Sequence, residues 1–261
     1  MSKGQVFLIG AGPGDIDLLT LGAVRCIGLA DVILIDDLVN HEVLQFARPN
    51  IPTIYVGKRG GCVSTPQAFI HRKMIALAQE GRVVARIKGG DPFMFGRGGE
   101  EMQALQQAGV KVSIISGITS GMAVPASLNI PLTHRDYTQG VTFITGHTKN
   151  NQAKNERAPN WRALAESGTT LVIYMGMTNL AKITQQLMQH GLPANMPAIA
   201  IQHGTLPTQR HLLATLQTLA QEVTRAGFSS PSIVVIGEVA RFAEGVNCIE
   251  EMTQFLQRQA A

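Results

Sequence analysis

Val6-Phe7-Leu8-Ile9-Gly10-Ala11-Gly12-Pro13-Gly14-Asp15 reads as a short buried strand running into a glycine-rich turn. Apolar residues Leu18, Leu19, Leu21, Val24, Ile27 and Leu29 follow at helical spacing. Strand, loop and helix in that order open an α/β fold. The texture recurs downstream, with strand signals at 32–35, 54–56, 83–87 and 112–115. Ser64 or Thr65 can cap a helix with Pro66 at its first position, ending near Gly81. A second helix is expected from about Glu100 to a stop at Gly109.

After residue 116 the chain changes character. Ser116-Gly117-Ile118-Thr119-Ser120-Gly121 marks a junction between an N-terminal α/β domain, 1–116, and a C-terminal one, 117–261. The second half shows strands near 141–145, 171–175, 198–202, 210–215 and 233–236, and a helical segment broken by Pro125 and Pro131. The link between 202 and 210 is too short for a helical crossover, so that pair should be antiparallel and the second sheet mixed. Residues 150–160 read as a polar loop and those from about Glu250 as a short terminal helix.

Composition narrows the function. The chain has 261 residues, enough for one large or two modest domains, and its 45% hydrophobic and 15% charged content is that of a globular protein. Gly, Pro, Asp or Arg interrupts every apolar run well short of the ~20 residues that span a bilayer, and the N-terminus lacks a cleavable apolar region. Neither a membrane span nor secretion is expected. Cys26, Cys62 and Cys248 are odd in number and far apart, which suits the reducing cytoplasm better than a disulfide framework. Seven histidines without a ligand spacing offer no metal site. The net charge of +4 is uneven, with +7 between residues 48 and 99 and −3 in the remainder. An anionic partner for the first half or a solvated basic face would each explain it. With 5% aromatics and no Lys/Arg block, nucleic acid is not that partner.

Three stretches could carry chemistry. The 10–15 turn sits where a dinucleotide fingerprint would, but Asp15 occupies the third glycine's place and Pro13 removes an amide a phosphate could use. A ligand without phosphates fits, as does close backbone packing alone. Gly89-Gly90-Asp91-Pro92-Phe93-Met94-Phe95-Gly96-Arg97-Gly98-Gly99-Glu100-Glu101 is the strongest signal, because ordering so many glycines implies backbone that approaches something closely. Phe93 and Phe95 could flank a ring, but core packing is the simpler role. Arg97 with Glu100 is either a helix-start ion pair or an anion clamp. Thr133-His134-Arg135-Asp136-Tyr137 is too densely polar for a plain turn, although His134 alone is more simply a surface histidine.

Taken in order, the 10–15, 32–36, 56–59 and 89–101 segments, Gly117-Ile118-Thr119-Ser120, 131–137, Tyr174-Met175-Gly176, Gly204-Thr205 with 208–210, and 230–232 resemble the uroporphyrinogen-III C-methyltransferases of the tetrapyrrole methylase family. The resemblance spans nearly the whole chain. It implies two α/β domains with a cofactor cleft between them, a fold distinct from the Rossmann methyltransferases, and a homodimer. It implies S-adenosylmethionine (SAM) as donor, leaving S-adenosylhomocysteine, and uroporphyrinogen III methylated at C2 and C7 to give precorrin-2 through precorrin-1. Pro13, Gly89, Gly90, Asp91, Met94, Thr119, Ser120, Met175 and Gly204 match cofactor positions. Asp36 and Lys58 match a proton acceptor and donor. Arg97, Glu100 and Arg135 match substrate-side groups, and Arg59 and Arg72 add cations suited to a substrate with eight carboxylates. The alternatives are a related SAM enzyme acting on another precorrin and a non-enzymatic binding module, which would leave two glycine-rich loops unexplained.

Overall fold

The computed structural model describes residues 4–57, 65–147 and 159–243. The chain divides into two compact units, Met1–Ser120 and Gly121–Ala261. That division falls just after the 117–120 segment instead of before it. The reason is local: Gly117 donates its N–H to Asp91 Oδ2 at 3.2 Å and packs backbone to backbone against Gly10 and Gly90.

In the first unit, β1 (Gln5–Gly10), α1 (Leu21–Leu29), β2 (Val32–Ile35), β3 (Thr53–Tyr55), α2 (Gln67–Gln79), β4 (Val83–Lys88), α3 (Gly98–Gln107) and β5 (Lys111–Ile115) follow in sequence. The strands form one sheet in the order β3-β2-β4-β1-β5, with every pairing parallel. Both faces are covered, which is why the strands read as continuous apolar runs. Val6, Leu8, Leu34 and Val84 pack with Met74 and Leu77 of α2 and Leu105 of α3, while Ile9, Ile33, Ile35 and Ile87 pack with Ala23 and Ile27 of α1.

Two local expectations shift. The apolar run from Leu18 is not one helix: a 3-10 turn covers Ile16–Leu18, and extended Leu19 and Thr20 precede α1, whose start is capped by Thr20 Oγ1 accepting from Ala23 N. The core face of α1 is therefore Ala23 and Ile27, and Leu21 and Leu29 are exposed. Pro66 stands at the N-cap of α2 instead of its first helical position, with no side-chain cap bond.

The second unit carries α4 (Ser120–Ala126), β6 (Val141–Thr145), α5 (Trp161–Glu166), β7 (Thr170–Tyr174), α6 (Leu180–Gln189), β8 (Pro197–Gln202), β9 (Arg210–Thr215), α7 (Leu219–Arg225) and β10 (Ser232–Ile236). Pro125 lies inside α4, near its end. The sheet order is β6-β7-β10-β8-β9, with β6 and β7 parallel and the remaining pairs antiparallel, so it is mixed. Its core gathers Leu171 and Ile173 of β7, Ile183 and Leu187 of α6, and Leu219 and Val223 of α7. The expected terminal helix near Glu250 and most of the 150–160 loop lie outside the described residues.

Asp31 ties the beginnings of β2 and β4 together. Its Oδ2 accepts from Val83 N at 2.8 Å and its Oδ1 pairs with Arg48 Nη2 at 2.6 Å. The Val83 amide first, and Arg48 after it, hold this carboxyl below the usual carboxylate range. A depressed native value stabilises the fold above the unfolded carboxyl's pKa of about 4, and that gain is lost as pH falls through the native value. Asp31→Asn should cost about 1 kcal/mol at neutral pH, a modest figure because the group is solvent-facing. In paired melts against pH, the gap from the parent protein should close under strongly acidic conditions.

Candidate active site

Because all five strands of the first unit run parallel, their carboxyl ends share one edge, where open α/β sheets hold ligands. Four of the sequence's candidate segments emerge there: 10–15 after β1, Asp36 after β2, 89–99 after β4 and 116–120 after β5. The two glycine loops are bonded to each other. Gly12 N donates to Gly90 O at 3.2 Å, Gly90 N donates to Gly12 O at 2.6 Å, and Ala11 N donates to Lys88 O at 2.8 Å. A Cβ on Gly117 would lie 2.3 Å from Gly90 O and 2.7 Å from Gly10 C, so three loop backbones meet where no side chain fits. Gly90 is also left-handed, with φ +65°.

Asp91 organises this junction. Its Oδ1 accepts from Phe93 N at 2.8 Å while Oδ2 accepts from Gly117 N. Asp15 caps the following turn through Oδ1 to Asp17 N at 2.9 Å, and Asn40 Nδ2 donates to Gly14 O at 3.0 Å. Pro13, Met94 and Ser120 are partly buried, and Thr119 is buried. Phe93 and Phe95 are exposed, with Leu38 after β2, which corrects the expectation that they pack into the core. Close packing of Gly96 and Gly98 on Pro92 turns the loop so that its aromatics face outward.

Arg97 caps α3 with a left-handed φ of 58°, and its Nε and Nη2 grip both oxygens of Glu100 at 2.9 and 2.6 Å. The Glu100 carboxylate raises the guanidinium's proton affinity above its ordinary value. A group that holds its proton this firmly orients anions and does not act as a base.

Asp36 is placed by a buried ionic cluster absent from the expected site. Arg86 and Lys88 alternate with Ala85 and Ile87 along β4, on the face of Val84, and are 1% and 4% exposed. Arg86 Nη2 meets Asp36 Oδ1 at 2.7 Å and Lys88 Nζ meets Asp36 Oδ2 at 3.3 Å. Both cations also reach Oε1 of fully buried Glu101, at 3.1 and 3.2 Å. Two charges in an otherwise apolar strand flanked by neighbours on both sides are the signal that could have revealed the cluster, since buried charges need partners.

Of the other expected cations, Arg72 is exposed on α2 and Arg135 is exposed between α4 and β6 of the second unit, while Lys58 and Arg59 lie outside the described residues. The basic character of residues 48–99 is partly internal: Arg86 and Lys88 are neutralised within the fold, and Arg48 and Arg82 pair with Asp31 and Glu80.

In the second unit, β7 and β8 both run antiparallel to β10 and so end on one edge. Exposed Met175 follows β7 with φ 54°, and Gly204 follows β8 between left-handed His203 and Thr205, at φ 51° and 64°. A Cβ on Gly204 would meet the Val124 side chain at 2.3 Å, and Gly121 N donates to the Tyr174 hydroxyl at 2.6 Å. Non-glycine residues in this region are strained positions that collect at functional sites, and nothing in the sequence pattern announces them. Among the described residues, no group of three or more His, Cys, Asp or Glu could hold a metal, and no helix is long and apolar enough to cross a membrane.

This donor set fits SAM. The loops offer backbone groups and carboxylates with no phosphate cradle, suited to a phosphate-free sulfonium cation.

Residues 5–220 match the family model of the tetrapyrrole (corrin/porphyrin) methylases. A uroporphyrinogen-III C-methyltransferase of Pseudomonas aeruginosa is 47% identical over 92% of this chain and 95% of its own length. A siroheme synthase of Thiobacillus denitrificans is 44% identical over 93% of this chain, which spans only half of that longer protein. The crystal structure of uroporphyrin-III C-methyl transferase from Thermus thermophilus complexed with S-adenyl homocysteine superposes with a TM-score of 0.76 at 35% identity, covering 91% of this chain and 99% of that one.

The three-loop junction makes a direct prediction. Gly117→Ala should destabilise the protein by about 1–3 kcal/mol through overpacking against Gly10 and Gly90, read as a lowered midpoint in denaturant melts.

Proposed function

Since the chain belongs to the tetrapyrrole (corrin/porphyrin) methylases, we propose that it transfers methyl groups from SAM to C2 and C7 of uroporphyrinogen III, forming precorrin-2 by way of precorrin-1. The observation that carries this reading is the shared edge at which two cross-bonded glycine loops, the Asp36 carboxylate and the Arg97 guanidinium all emerge. Exposed Leu38, Phe93 and Phe95 on the same loops suit a macrocycle's apolar rings, and Arg97 suits its carboxylate arms.

SAM supplies an electrophilic methyl on a leaving group that needs no activation. The protein's task is therefore alignment, holding the reacting atoms about 3–3.5 Å apart. Pro13, Gly89, Gly90, Asp91, Met94, Thr119, Ser120, Met175 and Gly204 are assigned to the donor. Asp91 also holds the loop from Gly89 against Gly117, so its contribution includes shaping that backbone. The attacking pyrrole becomes cationic on methylation until a proton leaves a neighbouring carbon or bridge. Asp36 accepts that proton, being a carboxylate at a strand end with part of its surface open. Lys58 is assigned as proton donor, Arg59, Arg72, Arg97 and Arg135 orient the substrate's carboxylates, and Glu100 holds Arg97 on the substrate side. A homodimer working in the cytoplasm completes the proposal, the latter supported by the odd number and wide spacing of the three cysteines in the sequence.

Anaerobic incubation with SAM and uroporphyrinogen III, followed by mass spectrometry, should show two added methyls, and a product bearing none would overturn the assignment. Arg97→Ala should lower turnover by roughly a hundredfold or more while leaving SAM affinity intact by calorimetry. Full activity in that variant would remove Arg97 from the site.

A further inference from the structure

Glu101 stands one helical position beyond the Glu100 that pairs with Arg97, and it is the only fully buried acid among the described residues. Its Oε1 accepts from Gln67 Nε2 at 3.0 Å, Arg86 Nε at 3.2 Å and Lys88 Nζ at 3.2 Å. Its Oε2 is buried with no hydrogen-bond partner. The same two cations hold the two oxygens of Asp36, whose side chain remains 27% exposed at the strand end. Each cation thus bridges a sealed carboxylate and an accessible one.

The charges balance only in one state. With both carboxylates ionised, two anions face two cations. When Asp36 takes up a proton, Glu101 is left as the cluster's one negative charge, and without it two buried cations would stand uncompensated, at a cost of several kcal/mol per ion. Lys88 Nζ and Arg86 keep their Glu101 Oε1 contacts whichever state Asp36 is in, so the cluster retains one full negative charge throughout.

We propose that Glu101 is a positioning residue for methyl transfer: acting through Arg86 and Lys88, it fixes the Asp36 carboxylate at the site edge and makes its proton uptake possible. This rests on the reading of Asp36 as the proton acceptor. The other titratable groups nearby are His71, linked through Gln67 at 3.2 Å, Arg97 at the start of α3, and Asp37 beside Asp36.

The test compares Glu101→Gln, Lys88→Met and Asp36→Asn with the parent enzyme, measuring kcat against pH and SAM affinity by calorimetry, with circular dichroism to confirm folding. Glu101→Gln preserves shape and removes a negative charge. Asp36 then holds its proton less well, so the acid limb of the kcat profile should move to lower pH by about one unit, and plateau kcat should fall about tenfold. Lys88→Met removes a positive charge and should move that limb to higher pH. SAM affinity should not change in either. Opposite displacements support the proposal, whereas unmoved limbs or displacements in one direction overturn it. If one variant does not fold, the direction of the other's limb decides alone. Asp36→Asn separates the two ideas: a parental acid limb retained in that variant would sink the Asp36 assignment itself, while its loss combined with unmoved limbs in the other two would sink only the role of Glu101.

Discussion

Placing two cations in the middle of an all-parallel sheet imposes a demand that the surrounding elements must meet. Arg86 and Lys88 sit on β4, hydrogen-bonded to β2 on one side and β1 on the other, where water cannot neutralise them. An unpaired charge there would cost far more than any single apolar contact returns. The first unit answers with Asp36 at the end of β2, Glu101 on α3 and Gln67 on α2. Three elements are thereby locked in register around one strand. The outcome also bears on chemistry, because one of the two neutralising carboxylates emerges at the edge where the loops gather.

Backbone contact is the second constraint. Gly10, Gly90 and Gly117 come from the ends of three neighbouring strands, β1, β4 and β5, and meet without intervening side chains. This brings the loops close enough to bond, and Asp91 fastens two of them through its separate oxygens. What these loops present at the junction is largely main chain, while the side chains of Phe93, Phe95 and Arg97 are exposed.

Much of this architecture is legible in the sequence because apolar periodicity reports burial. The strands at 32–35, 141–145 and 210–215 begin and end where the pattern places them, and the short 202–210 link correctly implies an antiparallel pair. Where the pattern misleads, a local competitor wins. Thr20 caps α1 and so divides an apolar run that looks continuous. Phe93 and Phe95 resemble core residues by type, yet the tight turn on Pro92 directs them outward. The excess of positive charge between 48 and 99 suggests a bare cationic surface, but charge counts ignore pairing, and Arg86 and Lys88 are consumed internally. Glu101 carries no sequence signal of its own since it follows Glu100 on what reads as an acidic helix start, and only depth distinguishes the two. The left-handed backbone at Met175, His203 and Thr205 leaves no compositional trace, because none of these is a glycine.

The strand order carries a consequence for biosynthesis. β1 is made well before both of its neighbours, β4 and β5, which come from residues 83–88 and 111–115. As the nascent chain leaves the ribosome, this apolar segment waits unpaired through the translation of roughly the next eighty residues, its hydrogen-bonding edges open on either side. Non-local parallel pairing of this kind is slow and exposes sticky surface while it is pending. The very feature that draws three loops together at one edge therefore leaves β1 open to unwanted association until residues 83–115 have been made.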